Sequence, residues 1–442
     1  MSSPESEELE RIRKQFDFGP YPRIPVEKTP KEDNNQLFFH NLVTPYYLRY
    51  QKVVNTQGKR ILDAGCGSGY KGLLLAEANP EAEIIGIDIS EASVKLAEER
   101  LKFHKFDNAK FYTLSIYDLP ELGLTFDYIN CDEVLYLLPD AVKGLEAMKS
   151  VLEPEGIIRT NLHSQMQREA FFRAQQVFQM MGLMDGNPEE MEMDIVKEIM
   201  TALKDGVDLK KRTWRLAYNE ENSAELLLAN HLLVGDKGST MADVFDYLDA
   251  AALDFITMVN WRHWSFVDLF TDQKNLPSFL AMSLADVPDS VQLQLYELFH
   301  PVHRLLDFWC GHPQDLPEFT PIEDWSDADW QDIRVHFHPQ LRSEKVKEKW
   351  LSHLGDRLIV DLGVFFSVSS NSPVYADAQA LAALLPLFDG PQMFSDLCDR
   401  WQQLAPLDPL TMETQPRQEV ETAVQKLLAR LEPSLFVLLE RV

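Results

Sequence analysis

Lys59–Tyr70 reads KRILDAGCGSGY. An apolar run, then three glycines at alternate positions, predicts a buried strand that breaks into a tight loop. Gly65, Gly67 and Gly69 let the backbone turn sharply and come close to a ligand. Outward from this point the chain alternates. KGLLLAEANP reads as a helix ending at Asn79-Pro80, and AEIIGIDIS as a strand. EASVKLAEERLKFH is a helix opened by Ser90 as its N-cap. AKFYTLSIYDLP and TFDYINCD give a third and a fourth strand, VKGLEAMKSVLEPEG a helix, and GIIRTNLHS a fifth strand. Strands joined by crossover helices predict an α/β, Rossmann-like, doubly wound parallel sheet.

Past His163 the strand rhythm stops. SQMQREAFFRAQQVFQMMGL and PEEMEMDIVKEIMTALKDG read as amphipathic helices, as does much of 222–310, including MADVFDYLDAAALDFITMV. Residues 312–345 read as loop, RLIVDLGVFFSVSS as strand, and 376–442 again as helices. Before the sheet, residues 16–50 form an irregular lead-in with five prolines and many aromatics that turns helical near Leu37–Tyr50. Tyr21, Tyr46 and Tyr47 make it a candidate lid.

Bulk properties set limits. A length of 442 residues suggests two or three domains. A net charge of −28 repels phosphate backbones, so nucleic acid is not an expected partner. No apolar run approaches the ~20 residues that cross a membrane, and the first residues lack a signal-peptide core. Four separated cysteines without CxxC argue against a disulfide framework and a thiolate zinc site, and a reducing cytoplasm is the expected setting. The histidines at 300, 303, 312, 336 and 338 lack metal-ligand spacing, so no metal is expected. NWRHW (Asn260–Trp264) reads as a packed helix end rather than a recognition patch.

The ligand is not expected to be a dinucleotide. The pattern is GxGxG rather than GxGxxG. Asp63, just before the loop, suits a cationic amino-acid group better than a pyrophosphate. Asp88, ending the second strand, can accept from two ribose hydroxyls. LDAGCGSGY, GIDIS, YDLPE, FDYINCDEVLYLLPD and LEPEGIIR resemble, in that order, the class I S-adenosylmethionine-dependent methyltransferases across residues 59–161. The resemblance implies S-adenosyl-L-methionine as cofactor. Asp63, Ala64 and the Gly65–Gly69 loop would hold its methionine part, Asp88 the ribose, Ile89, Ser115 and Ile116 the adenine, and Asn130 would lie near the sulfonium. Many family members have aspartate at the Ser115 position.

The implied reaction aligns an acceptor and relieves it of a proton. Asn130, Asp132, Glu133, Tyr136, Asn161 and His163 are the candidates at that edge. Glu133 and Tyr136 would share one face if a helix starts there. The Asn-Pro-Pro-Tyr signature of glutamine and DNA-adenine methylases is absent.

HLLVGDKGSTMADVFDYLDAAALDFITMVN, LLPLFDGPQMFSDLCDRWQQL and GPYPRIP weakly resemble a bacterial protein-lysine methyltransferase family, with its regulatory region and winged-helix-like tail. The chain also resembles cyanobacterial-type phycobiliprotein asparagine methyltransferases. The expected organisation is an aromatic lid or strap over 1–50 and a methyltransferase domain over 51–235. A mostly helical recognition or regulatory region over 236–345 and a small winged-helix-like C-terminal module over 346–442 follow. The expected reaction is N-methylation of a protein side chain, at asparagine or lysine. A small-molecule acceptor, or a cofactor-binding regulator without catalysis, is the alternative.

Overall fold

A computed structural model describes residues 4–220, 223–315, 320–365, 373–408 and 410–442. They fall into two compact units, the first drawn from 1–29, 58–76 and 81–313, the second from 30–57, 77–80 and 314–442.

The first unit is built on one sheet. Its strands are β1 (Arg60–Ala64), β2 (Glu83–Asp88), β3 (Lys110–Thr113), β4 (Phe126–Cys131), β5 (Leu152–Ser164), β6 (Gly238–Ser239), β7 (Asp254–Met258) and β8 (Leu305–Gly311). The order is β3-β2-β1-β4-β5-β8-β7, with β6 paired to β5. Strands β1 to β5 run parallel, while β8 is antiparallel to both β5 and β7. Covered on both faces, the central strands are nearly continuous apolar runs; β1 buries all but Arg60, and β2 all but its two end residues. The crossover helices include Tyr70–Ala78, Glu91–Phe103 and Ala141–Ser150. Ser90 and Asp140 cap the last two by accepting from the amides of Ser93 and Lys143. Strand order reverses between β1 and β4, and doubly wound sheets bind ligands at the carboxyl edge beside such a reversal.

Helices Gln165–Met180, Glu190–Ala202, Asp208–Thr213 and Ala224–Asn230 follow β5. The strand rhythm nevertheless resumes, contrary to expectation. MADVFDYLDAAALDFITMV is not one helix: Met241–Ala250 is helical and Asp254–Met258 is β7. Leu305–Gly311 then inserts between β5 and β7.

The second unit contains β9 (Ile333–Phe337), β10 (Val360–Asp361), β11 (Tyr375–Ala376), β12 (Gln392–Met393) and β13 (Val437–Arg441). β12-β9-β13 is a small antiparallel sheet, and β10 pairs with β11. Strand β9 lies in a stretch read as loop. Of RLIVDLGVFFSVSS, only Val360–Asp361 is strand, and residues 366–370 lie outside the described ones. Helices Asn34–His40 and Val43–Tyr50 belong to this unit. Tyr47 is 1% exposed; its hydroxyl donates to Glu432 at 2.9 Å and accepts from the Leu439 amide at 3.0 Å. Among the described residues no helix is long and apolar enough to cross a membrane.

Candidate active site

The loop after β1 is held from below and above. The amides of Gly65 and Cys66 both donate to the Ile87 carbonyl at 2.8 Å, and the Gly67 amide donates to Asp88 Oδ2 at 2.9 Å. All three loop glycines have positive φ. From above, residues 19–26 cross the loop as a strap. Ser68 donates its amide to Tyr21 O at 2.8 Å and its hydroxyl to Pro22 O at 2.7 Å. Arg100, fully buried, donates to Ser68 O, Pro25 O and Ile24 O at 2.8, 2.8 and 2.6 Å. A Cβ on Gly67 would lie 2.2 Å from Tyr21 O. The glycine is therefore needed for the strap's close approach, not only for a ligand's.

Beside the loop, Asp63 and Asn130 stand on register-paired positions of β1 and β4. The Asn130 amide donates to Asp63 Oδ1 at 3.0 Å. Both residues are buried, and Asp63 Oδ2 and Asn130 Oδ1 have no hydrogen-bond partner among the described residues. Burial raises the Asp63 carboxyl to about 7 against the lowering pull of Asn130. It raises Asp88 to about 6, although Asp88 accepts from the Ser90 and Gly67 amides. Two orphaned acceptors in a buried site are costly unless a donor arrives.

A second group caps the ends of β4 and β5. Asp132 pairs with Lys71 at 2.6 Å and accepts from Asn161 Nδ2 at 2.6 Å, while Asn161 Oδ1 takes the Glu133 amide at 2.8 Å. Glu133 has φ +64°, so no helix starts there; a short 3₁₀ turn spans Leu135–Leu137 and the helix begins at Ala141. The shared helical face expected of Glu133 and Tyr136 does not form. Instead the Glu133 carboxylate pairs with Arg304 and accepts from the Tyr21 hydroxyl at 3.4 Å. Arg304 also donates to His163 Nε2 at 3.1 Å. Because Nε2 accepts, Nδ1 carries the proton and donates to Asp236 at 2.6 Å. Tyr136 stacks on the His163 ring at 3.7 Å. Burial keeps His163 below its ordinary range despite Asp236, so the ring is neutral near pH 7.

A family model described as a methyltransferase domain matches residues 55–221. Residues 55–221 are a class I S-adenosylmethionine-dependent methyltransferase domain. An uncharacterized protein of Synechococcus sp. (strain ATCC 27144 / PCC 6301 / SAUG 1402/1) is 28% identical over 322 residues, 71% of this chain and 73% of that one. A demethylmenaquinone methyltransferase of Geobacillus kaustophilus (strain HTA426) is 35% identical over 102 residues, 23% of this chain and 44% of the relative. Here the chain spans less than half the relative's length. PKMT2 from Rickettsia typhi has the same fold, with a TM-score of 0.56 at 15% identity over 91% of this chain and 75% of that one.

The residues of this methyltransferase domain fit its cofactor. S-adenosylmethionine carries an ammonium and a sulfonium, and the unpartnered oxygens of Asp63 and Asn130 are acceptors suited to positive charge. Ala64 ends β1 fully buried, and Ile89 is half-buried after β2. Ser115 caps its own 3₁₀ turn by accepting from the Tyr117 amide at 3.3 Å, and Ile116 is buried behind it. Tyr46 and Tyr47 belong to the second unit, and Tyr21 donates its hydroxyl to Glu133 at this site.

Sequence reading missed Lys71, Arg100, Asp236 and Arg304. The last two lie beyond the matched domain and meet their partners across 73 and 171 residues of chain. The histidines considered for metal have other partners. His303 stacks on Trp264, His312 bonds to Leu152 O, His336 to Glu440 and His338 to Thr44. No metal-holding cluster of His, Cys, Asp or Glu is found among the described residues. Trp264 of NWRHW is buried.

Proposed function

We propose that the protein is a methyltransferase whose acceptor is a side-chain nitrogen of another protein, an asparagine amide or a lysine amine. The observation that carries the catalytic half is the buried Asp63–Asn130 pair, which leaves two acceptors open beside the glycine loop. Bound S-adenosylmethionine supplies a methyl group activated by sulfonium. Asp63 takes its ammonium, Asp88 its ribose hydroxyls, and Asn130 lies by the transferable group.

Deprotonation of the acceptor falls to His163. Its Nδ1 is tied to Asp236, which fixes the tautomer and leaves Nε2 as the basic face. Arg304 occupies that face, so an incoming acceptor displaces one Arg304 N–H while Glu133 retains the guanidinium. The helical region over 236–345 and the winged-helix-like module over 346–442 select the acceptor. The protein-acceptor reading is supported by a fold shared with PKMT2 over 91% of the chain, far beyond the matched domain.

The test uses S-adenosylmethionine labelled in the methyl group. Incubation with lysate proteins and, separately, with the small-molecule fraction should place label in protein, mapped to a side-chain nitrogen. Label confined to small molecules would overturn the reading in favour of a metabolite acceptor, a chemistry that the Geobacillus relative's name carries. Cofactor binding without transfer to either would make the chain a regulator.

A further inference from the structure

Between β7 and β8, residues 266–302 show an excess of apolar side chains to solvent. The helix Ser278–Ser283 (SFLAMS) has no buried residue, with Phe279 80% and Met282 79% exposed. On and after the helix Asp289–Phe299, Leu298, Phe299 and Val302 are exposed too. Residues of this kind usually bury, and Phe279 and Met282, three apart on one helix, present their exposed side chains on one face, the kind of feature that marks an interaction surface. The second helix is not a frayed end. Tyr296 packs its ring on Trp264 at 5.1 Å, and Phe299 meets Phe266 edge-on at 5.6 Å.

Charge says what covers this ledge. Asp268, Asp272, Asp286 and Asp289 are exposed along it, and Lys274 is the one lysine or arginine in the stretch. A nucleic acid would be repelled by these carboxylates. A second copy would bring two acidic rims together on chains of net charge −28. The stretch also leads, two residues after Val302, to Arg304 beside Glu133 and His163.

We infer that this ledge docks a cationic amphipathic segment of the protein acceptor and so delivers the adjoining chain to the Glu133–Arg304 edge. The inference rests on the reading that the acceptor is a protein. Apolar side chains of the segment cover Phe279, Met282 and Leu298, and its lysines or arginines meet the aspartates.

The probe is a synthetic amphipathic helix of leucine and lysine, titrated into the full chain by fluorescence anisotropy. The same helix with glutamate in place of lysine is the control. The lysine peptide should bind, more weakly as salt rises, and the glutamate peptide should not. Phe279→Ser with Met282→Ser should weaken binding about tenfold, and Asp286→Asn with Asp289→Asn should weaken it and flatten its salt dependence. S-adenosylmethionine affinity should not change in either variant. Equal binding of both peptides, or variants that bind like the wild type, would overturn the docking site. So would a wild-type dimer in sedimentation that the Phe279/Met282 variant dissociates, because the face would then belong to a second copy. None of these readouts needs methyl transfer. A chain that binds the lysine peptide yet labels no protein loses only the proposed acceptor, and one that labels protein but ignores the peptide loses only the ledge.

Discussion

Burial pushes the Asp63 carboxyl to about 7, and the Asn130 amide bonded to it pulls the other way. Only the ionised form can hold an ammonium, so S-adenosylmethionine affinity should fall by up to about tenfold per unit as pH drops below 7. Asp63→Asn should cost affinity about 10- to 100-fold and remove the component of that pH dependence centred near 7, leaving only what Asp88 contributes near 6. Asn130→Ala should shift the midpoint upward, because it removes the bond that favours the carboxylate. Calorimetric titration between about pH 5.5 and 8.5 measures all three, and a midpoint unmoved by Asn130→Ala would refute the coupling. The same raised pKa has a stability sign. The folded state holds the Asp63 proton to a higher pH than the unfolded chain, so the ligand-free protein loses stability as pH rises from about 4 to 7. At this scale Asp63 and the glycines were legible, since both belong to one strand-and-loop pattern. The left-handed backbone at Glu133 was not, because nothing in CDEVLY demands it. Arg304 and Asp236 had no local signature either; only the closed sheet brings them to His163.

The strap over residues 19–26 is a device of one element gripping another. Arg100 projects from the helix Glu91–Phe103 and places its guanidinium on Ser68, Ile24 and Pro25 carbonyls, joining loop, strap and helix. His104 adds a bond to Val26 O at 2.8 Å. Arg100→Ala would leave those carbonyls without their donor and should cost about 2–4 kcal/mol. Hydrogen exchange should show the Ser68 amide and residues 19–26 opening together, with cofactor release accelerated; an unchanged Ser68 amide would show that the strap holds without Arg100. Gly67→Ala should open the strap by another route, since its Cβ would meet Tyr21 O at 2.2 Å. Here proteolytic nicking within 19–26 is the measure, and resistance equal to the wild type would count against it. The lead-in's prolines and aromatics announced an irregular segment, but its target was invisible because backbone carbonyls carry no sequence signature. Strand β7 was hidden for another reason. ALDFITMV, following directly on a helix, fits a helical stripe as well as a strand, and its pairing partner β8 lies about fifty residues later.

Across the whole chain, the second unit is assembled from separated segments, and this limits where the molecule can be cut. Its core draws Phe38, Leu42, Tyr46 and Tyr47 from residues before β1 and Trp350, Leu428 and Leu439 from the C-terminal stretch. The joints are polar as well as apolar. Thr44 Oγ1 meets His338 Nε2 at 2.9 Å, the Phe38 and His338 rings lie 4.6 Å apart, and Tyr47 bridges Glu432 and Leu439. Burial holds His338 down to about 3, so it stays neutral at working pH and the Thr44 contact persists. A chain ending at residue 313 keeps every strand of the large sheet yet strips the partners from the Asn34–His40 and Val43–Tyr50 helices. Their aromatic side chains would face water, a loss of several kcal/mol per large residue. Truncation at 313 should therefore yield a protein that binds an environment-sensitive apolar dye, self-associates on sizing, and melts below the full chain. Supplying 314–442 as a separate polypeptide should restore a monodisperse 1:1 complex with suppressed dye binding. A 1–313 fragment that stays monomeric, dye-silent and as heat-stable as the full chain would refute the shared core and make the methyltransferase half self-sufficient.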